Sequence, residues 1–154
     1  MPTQKTSKNL DGAAVCHFSV LIENKVGALL KVVKLLNENG VDVLTMSMLD
    51  SAESGIMRII VSDPDRVKRL FDQEEIAYIL SKVLLVELPQ SSSDLAKILA
   101  SLLIAEVSVL FAYPLLIRPR GKSILALHTD DMECASSVLM SHRFQLLNQS
   151  DISR

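Results

Sequence analysis

Tryptophan is absent from this 154-residue chain, and four phenylalanines and two tyrosines are its only aromatic rings apart from histidine. Its core must therefore be built mainly from aliphatic side chains, and the 49% hydrophobic content is high enough to exclude a disordered chain. An excess of either charge sign is missing too. Sixteen lysines and arginines against eighteen acidic residues leave a net charge of -2, without the positive footprint of a nucleic-acid binder, so no nucleic-acid partner is expected. Long apolar runs are also lacking: Lys31, Lys34 and Lys82 break the longest ones before they reach the roughly 18 residues of a membrane span. Residues 1–11 are polar and carry lysines, but no apolar stretch or small-residue cleavage pattern of a secretory signal follows. Cytoplasmic residence, away from membranes, is the expectation.

Chemistry-bearing constellations are equally scarce. The two cysteines, Cys16 and Cys134, lie far apart in apolar settings, which points to buried free thiols rather than a disulfide or redox pair. His17, His128 and His142 fall in different segments and never at metal-ligand spacing, so no metal is expected. There is no glycine run to cradle phosphate and no nucleophile elbow. No cofactor is expected, and an enzyme's chemistry has no visible seat.

What the chain does contain is a repeat of itself. Shifted by 66 positions, "VLIENKVGALLKVVKLL" lies over "VELPQSSSDLAKILASL" and "VDVLTMSMLDSAESG" over "VSVLFAYPLLIRPRG" without a gap. Identical residues meet at Val20, Leu29, Lys31, Leu36, Val41, Val43, Leu44, Leu49 and Gly55, and the order of elements repeats with them. In the first copy, residues 14–22 read as a strand with Cys16, Phe18, Val20 and Ile22 on one face. A helix follows whose apolar surface leaves Lys31, Lys34 and Glu38 as a narrow polar stripe, and Gly40 stops it. Residues 43–49 and 56–62 form a hairpin through "DSAESG". "SDPDRVKRLF" then opens a helix, with Ser62 or Asp63 as its cap and Pro64 in its first turn. A last strand lies within residues 78–88.

That order, β-α-β-β-α-β, predicts an α+β fold of two ferredoxin-like units, each an antiparallel sheet with helices on one face. The second copy reads as a helix at 95–103, a hairpin of 107–117 and 122–128, a helix at 131–141 and a last strand over 144–152. "KVLLVEL" has to end one copy and begin the next, because too few residues remain for separate strands. The expected organisation is a tail at 1–13, a first unit at 14–85 and a second at 86–154. Units of roughly 65 residues are marginal alone, which favours packing the copies together.

These residues resemble a known family, the tandem ACT domains, in their stand-alone two-copy form. "FSVLIENKVGAL" is similar to the family's first turn at Asn24, Gly27 and Leu29, with Val26 where the family has proline. "GVDVLTMSM" and "SGIMRIIVSDPDRVKRLF" resemble its second strand and its third strand with second helix. The resemblance implies a non-catalytic amino-acid-binding regulatory or sensor protein of amino-acid metabolism, allosteric in action. A free amino acid is the implied ligand, a homodimer the implied assembly, and a separate metabolic enzyme the implied target. The alternative is a ligand-free interaction module, or a regulatory subunit similar to the small subunit of acetolactate synthase.

Transferred residue by residue, the resemblance nominates Asn24, Val26, Gly27, Ala28 and Leu29 as ligand-binding, mostly through backbone groups. Physically, the first amides of a helix lack intrahelical partners and carry partial positive charge, which suits a carboxylate. Gly27 presents no side chain to obstruct it, and the Asn24 amide oxygen is suited to accept from the ligand's ammonium group. The ligand side chain would rest against residues 44–48. The competing reading of the same stretch is a tight strand-to-helix connection, with Gly27 present for its dihedrals and Asn24 for capping. In the second copy Gln90, Ser93 and Asp94 stand at the Asn24, Gly27 and Ala28 positions. Ser93 and Asp94 read as a cap made by the protein itself, and Asp94 would repel a ligand carboxylate, so this second turn is expected to be degenerate. "IRPRGK" reads as a basic hairpin tip, either a solvated turn or a contact for an anionic partner. Met46, Met48 and Met57 read as core filler on adjacent strands.

Overall fold

The computed structural model describes residues 14–23, 26–50 and 54–153. In chain order the elements are β1 (Ala14–Glu23), α1 (Ala28–Glu38), β2 (Val43–Asp50), β3 (Ser54–Val61), α2 (Pro64–Gln73) and β4 (Tyr78–Leu88). They continue as α3 (Ser92–Ile104), β5 (Val109–Pro114), β6 (Ser123–Thr129), α4 (Met132–Ser141), the two-residue β7 (Leu146–Leu147) and a closing turn of helix, α5 (Gln149–Ile152). The chain divides into two compact units, Cys16–Ser81 and Lys82–Ile152. Strand β4 runs out of the first and into the second, serving both copies as the sequence requires.

In the first unit the strand order is β2-β3-β1-β4, with β1 and β2 each antiparallel to β3. Alternation along β1 puts Phe18, Val20 and Ile22 on one face, where they bury against Val32 and Leu36 of α1 and Val67 and Phe71 of α2. Three of the chain's few aromatics meet there. Phe18 and Phe71 sit edge to face with centroids 5.9 Å apart, and Tyr78 tilts against both. Partial loss of solvent, and then the Asp72 carboxylate to which its hydroxyl donates at 3.2 Å, hold the Tyr78 phenol above its ordinary pKa. The methionines separate: Met57 is fully buried in this core, whereas Met46 and Met48 on β2 are 45% and 39% exposed. Core filler describes only the first of them.

The second unit repeats the order as β7-β4-β6-β5, and its core joins β4 and β6 to Ile98 and Leu102 of α3 and Ala135 and Leu139 of α4. The repetition extends to irregularities. Register shifts occur between Val43 and Thr45 in β2 and again between Val109 and Phe111 in β5, at equivalent positions of the repeat. Asp63 accepts from the Arg66 amide to cap α2, and Asp131 accepts from the Cys134 amide to cap α4. Helices α1 to α4 all end in the same paired bonds around a residue of positive φ: Gly40, Glu75, Glu106 and Arg143. At α1 the Val41 amide donates to the Leu36 carbonyl and Gly40 to Asn37; at α3 Val107 donates to Leu102 and Glu106 to Leu103.

Gly40 occupies its left-handed position without penalty, but Glu106 holds the equivalent place at φ 57. Substituting Glu106→Gly should therefore stabilise the protein by about 1 kcal/mol, the order of the left-handed penalty for an L-residue less glycine's extra unfolded-state entropy. The midpoint of urea unfolding should rise accordingly. A fall would mean that the Glu106 side chain outweighs its backbone strain.

One element departs from expectation. The last strand, expected over residues 144–152, stops at Leu147. Asn148 accepts the Asp151 amide at 3.1 Å while Asp151 accepts the Asn148 amide at 2.8 Å, a reciprocal cap that converts the remaining residues into a helical turn.

Candidate functional site

Strand β1 ends at Glu23, and α1 starts at Ala28 after Gly27, whose backbone lies in the left-handed region at φ 86 and ψ -3. That geometry explains the glycine: it turns the chain from the sheet onto the helix where a side chain would be strained. The Gly27 carbonyl accepts from the Lys31 amide at 3.0 Å, and among the described residues no side chain caps the first turn of α1. Val26 and Gly27 are exposed, and no atom of the described residues lies within 4 Å of where a Gly27 Cβ would stand. Ala28 and Leu29 are half-buried and pack on the first unit's core. Asn24 lies outside the described residues.

Behind this turn the first unit holds an open cavity of about 730 Å³. Val20, Ile22, Val32, Leu35 and Ile76 give it an apolar floor, while Glu23, Lys31, Lys34, Glu38, Glu74 and Glu75 charge its rim. Of the nominated residues with a described position only Ala28 lines it; Val26, Gly27 and Leu29 do not, nor do residues 44–48. The cavity uses instead the loop after α2, a segment some fifty residues away in sequence that no local motif signals.

The second unit treats its turn differently. Ser91 stands at φ 52 before α3, again with no side-chain cap on the first helical turn. Asp94 is 6% exposed, and its Oδ2 accepts from the Gln90 amide, while Ser93 Oγ donates to the Gln90 carbonyl at 3.1 Å. Both residues close the turn with the protein's own side chains, but on Gln90 and not on the helix amides. A second cavity of about 340 Å³ opens here, lined by Glu87, Asp94, Lys97, Arg120, Lys122 and Arg143 among others. Glu87 is 4% exposed and has Lys122 Nζ 3.2 Å from its Oε1. The basic hairpin tip therefore contributes to a cavity wall: residues Pro119–Gly121 make one 3-10 turn that carries Arg120 and Lys122 to it.

The histidines serve locally. His17 is fully buried with Ser81 Oγ 3.0 Å from its Nδ1, His128 stacks on Phe111, and His142 Nδ1 approaches the Val138 carbonyl at 2.9 Å. Among the described residues no cluster of histidine, cysteine, aspartate or glutamate is placed to hold a metal ion, and Cys16 and Cys134 are free and half-buried. No helix among these residues is long and apolar enough to cross a membrane.

Two ferredoxin-like α+β units in tandem, each with a cavity lined in part by its first helix and by the loop after its second, define a paired small-domain protein. The chain belongs to the ACT domain family: the model of an ACT domain pair matches residues 13–154. The crystal structure of protein BT0572 from Bacteroides thetaiotaomicron is similar to it with a TM-score of 0.85 at 24% identity, covering 94% of this chain and 99% of that one. The ligand-free regulatory subunit of aspartate kinase from Thermus thermophilus aligns with a TM-score of 0.58 at 16% identity, over 86% of this chain and 93% of the other. At these identities the likeness is one of fold. No curated protein matches the sequence.

Proposed function

We propose that this protein is a non-catalytic sensor that binds a free amino acid at the turn of residues 24–29 and regulates a separate enzyme of amino-acid metabolism, as a cytoplasmic homodimer. The observation that carries the reading is the start of α1 at exposed Gly27, where no described side chain caps the helix, beside an open cavity with an apolar floor and charged rim. Helix amides there suit the ligand's carboxylate, and the carboxylates of Glu23, Glu74 and Glu75 suit its ammonium group. The apolar floor supplies a surface for an aliphatic side chain.

Thermal unfolding in the presence of each protein amino acid in turn tests this reading. A ligand at about 100 times its dissociation constant stabilises by ~2.7 kcal/mol, several degrees in midpoint for a chain of this size. One or a few amino acids should give that shift; none giving it, with protein shown to be folded, overturns sensing.

A protein-interaction reading has its own support. Leu95, Leu99, Leu103 and Ile104 expose an apolar stripe along α3, and an exposed stripe of this kind suits a partner surface. Co-purification of a catalytic chain, with no amino-acid response, would favour it.

A further inference from the structure

The two cavities occupy equivalent places in the repeat but have opposite electrical character. Lys31 of the first corresponds to Lys97 of the second, and the loop after α2, with Glu74 and Glu75, corresponds to the loop after α4, with His142 and Arg143. In the first, Glu23, Glu38, Glu74 and Glu75 outnumber Lys31 and Lys34. In the second, Lys97, Arg120, Lys122 and Arg143 outnumber Glu87 and Asp94.

Both carboxylates of the second cavity face groups of the protein, although the Glu87 Oε1 contact with Lys122 is a charge pair without a hydrogen bond. Glu87 is nine-tenths buried against Lys122, and Asp94 is buried on the Gln90 amide. The repulsion that Asp94 was expected to exert on an anion is thereby met within the wall. Lys97, Arg120 and Arg143 are exposed, and among the described residues none of them takes part in a salt bridge. Both arginines stand at backbone positions that favour glycine, Arg120 at φ 58 and Arg143 at φ 65. For Arg143 that position is the C-terminal cap of α4 and for Arg120 the 3-10 turn of the hairpin tip, so local backbone geometry fixes where each guanidinium leaves the chain beside the opening.

We infer that the second unit's cavity binds a small organic dianion, a dicarboxylate or a phosphate monoester, held between Lys97, Arg120 and Arg143. Two guanidinium groups match planar or tetrahedral oxyanions through paired hydrogen bonds, and Lys97 supplies a further positive charge from the first turns of α3. A cavity of about 340 Å³ lies at the small end of ligand sites, which suits a compact molecule. The inference stands whether or not the first turn takes an amino acid.

Calorimetric titration of the full chain with succinate and with inorganic phosphate, against butyrate as a monoanion of similar size to succinate, tests it. Saturable binding of succinate or phosphate is expected, with butyrate about tenfold weaker or more, the effect of about 1.4 kcal/mol. Succinate alone would identify the dicarboxylate class, and phosphate alone the phosphate class. The exposed pair Lys97→Gln and Arg120→Gln, or Arg120→Gln alone if the double variant unfolds early, should weaken binding by about tenfold or more. Lys31→Gln, in the first cavity, should leave it unchanged. No saturable binding of either dianion, equal binding of butyrate, indifference to Arg120→Gln, or equal sensitivity to Lys31→Gln would each overturn the inference.

Discussion

Replacing Phe71 by alanine should remove about 3–5 kcal/mol of stability, the range for deleting a fully buried aromatic ring. The ring is wholly buried in the first unit's core, edge-on to Phe18 at 5.9 Å and 5.6 Å from Tyr78. In a chain with six phenylalanine and tyrosine rings in all, this trio is the largest concentration of aromatic surface, and the aliphatic side chains around it are packed too tightly to flow into the space. A unit of about 65 residues has little stability to spare, so the loss should unfold it at temperatures where the parent is folded. Equilibrium urea unfolding gives the number, and near-ultraviolet circular dichroism follows the packing of the tyrosines, Tyr78 in this core and Tyr113 in the second unit. Phe71→Leu should recover much of the loss, since it leaves a smaller void. A loss below about 1 kcal/mol for Phe71→Ala would show that the α2 side of this core is far looser than its burial indicates.

The second large effect concerns Gly27. Gly27→Leu should abolish the amino-acid-dependent thermal shift, about 2.7 kcal/mol at 100 times the dissociation constant, while the ligand-free protein remains folded. The left-handed backbone at φ 86 strains any L-residue by roughly 1–2 kcal/mol, but the new Cβ meets no atom of the described residues within 4 Å, so they add no clash. The leucine side chain would instead stand where a ligand must approach the first amides of α1. The comparison with Gly40→Leu separates the two consequences. Gly40 has φ 71 and an equally open surrounding, so it carries a similar strain at the other end of the same helix. Its variant should keep the thermal shift. If Gly27→Leu keeps it as well, the ligand does not bind at this turn.

Much of this architecture is legible from residues alone, because the signals are short-range. The alternation of Phe18, Val20 and Ile22, the Asp63-Pro64 helix start and the stop at Gly40 each depend on a few neighbouring side chains and dihedrals. The shift of 66 positions predicts that these features recur, and the recurrent register shifts in β2 and β5 agree with it. Strand β7 ends earlier than the sequence pattern predicts for an equally local reason. The polar pair Asn148 and Asp151 sits inside an otherwise strand-like stretch, and its reciprocal capping outweighs the strand pattern.

The cavities are another matter. Glu74 and Glu75 belong to no sequence motif, and "IRPRGK" reads as a solvated turn or a contact for an anionic partner, yet each borders a cavity begun by a turn far away in the chain. Asp94 reads as a charge facing a ligand, whereas its burial on the Gln90 amide withdraws it. By itself, then, the sequence determined two copies of one βαββαβ unit, a shared strand between them and a glycine-opened turn in the first. These follow from periodicity and backbone preference, which act between near neighbours. Only the tertiary structure decided which charged side chains meet around each opening, because a cavity's potential sums over residues that the chain brings together from separate segments.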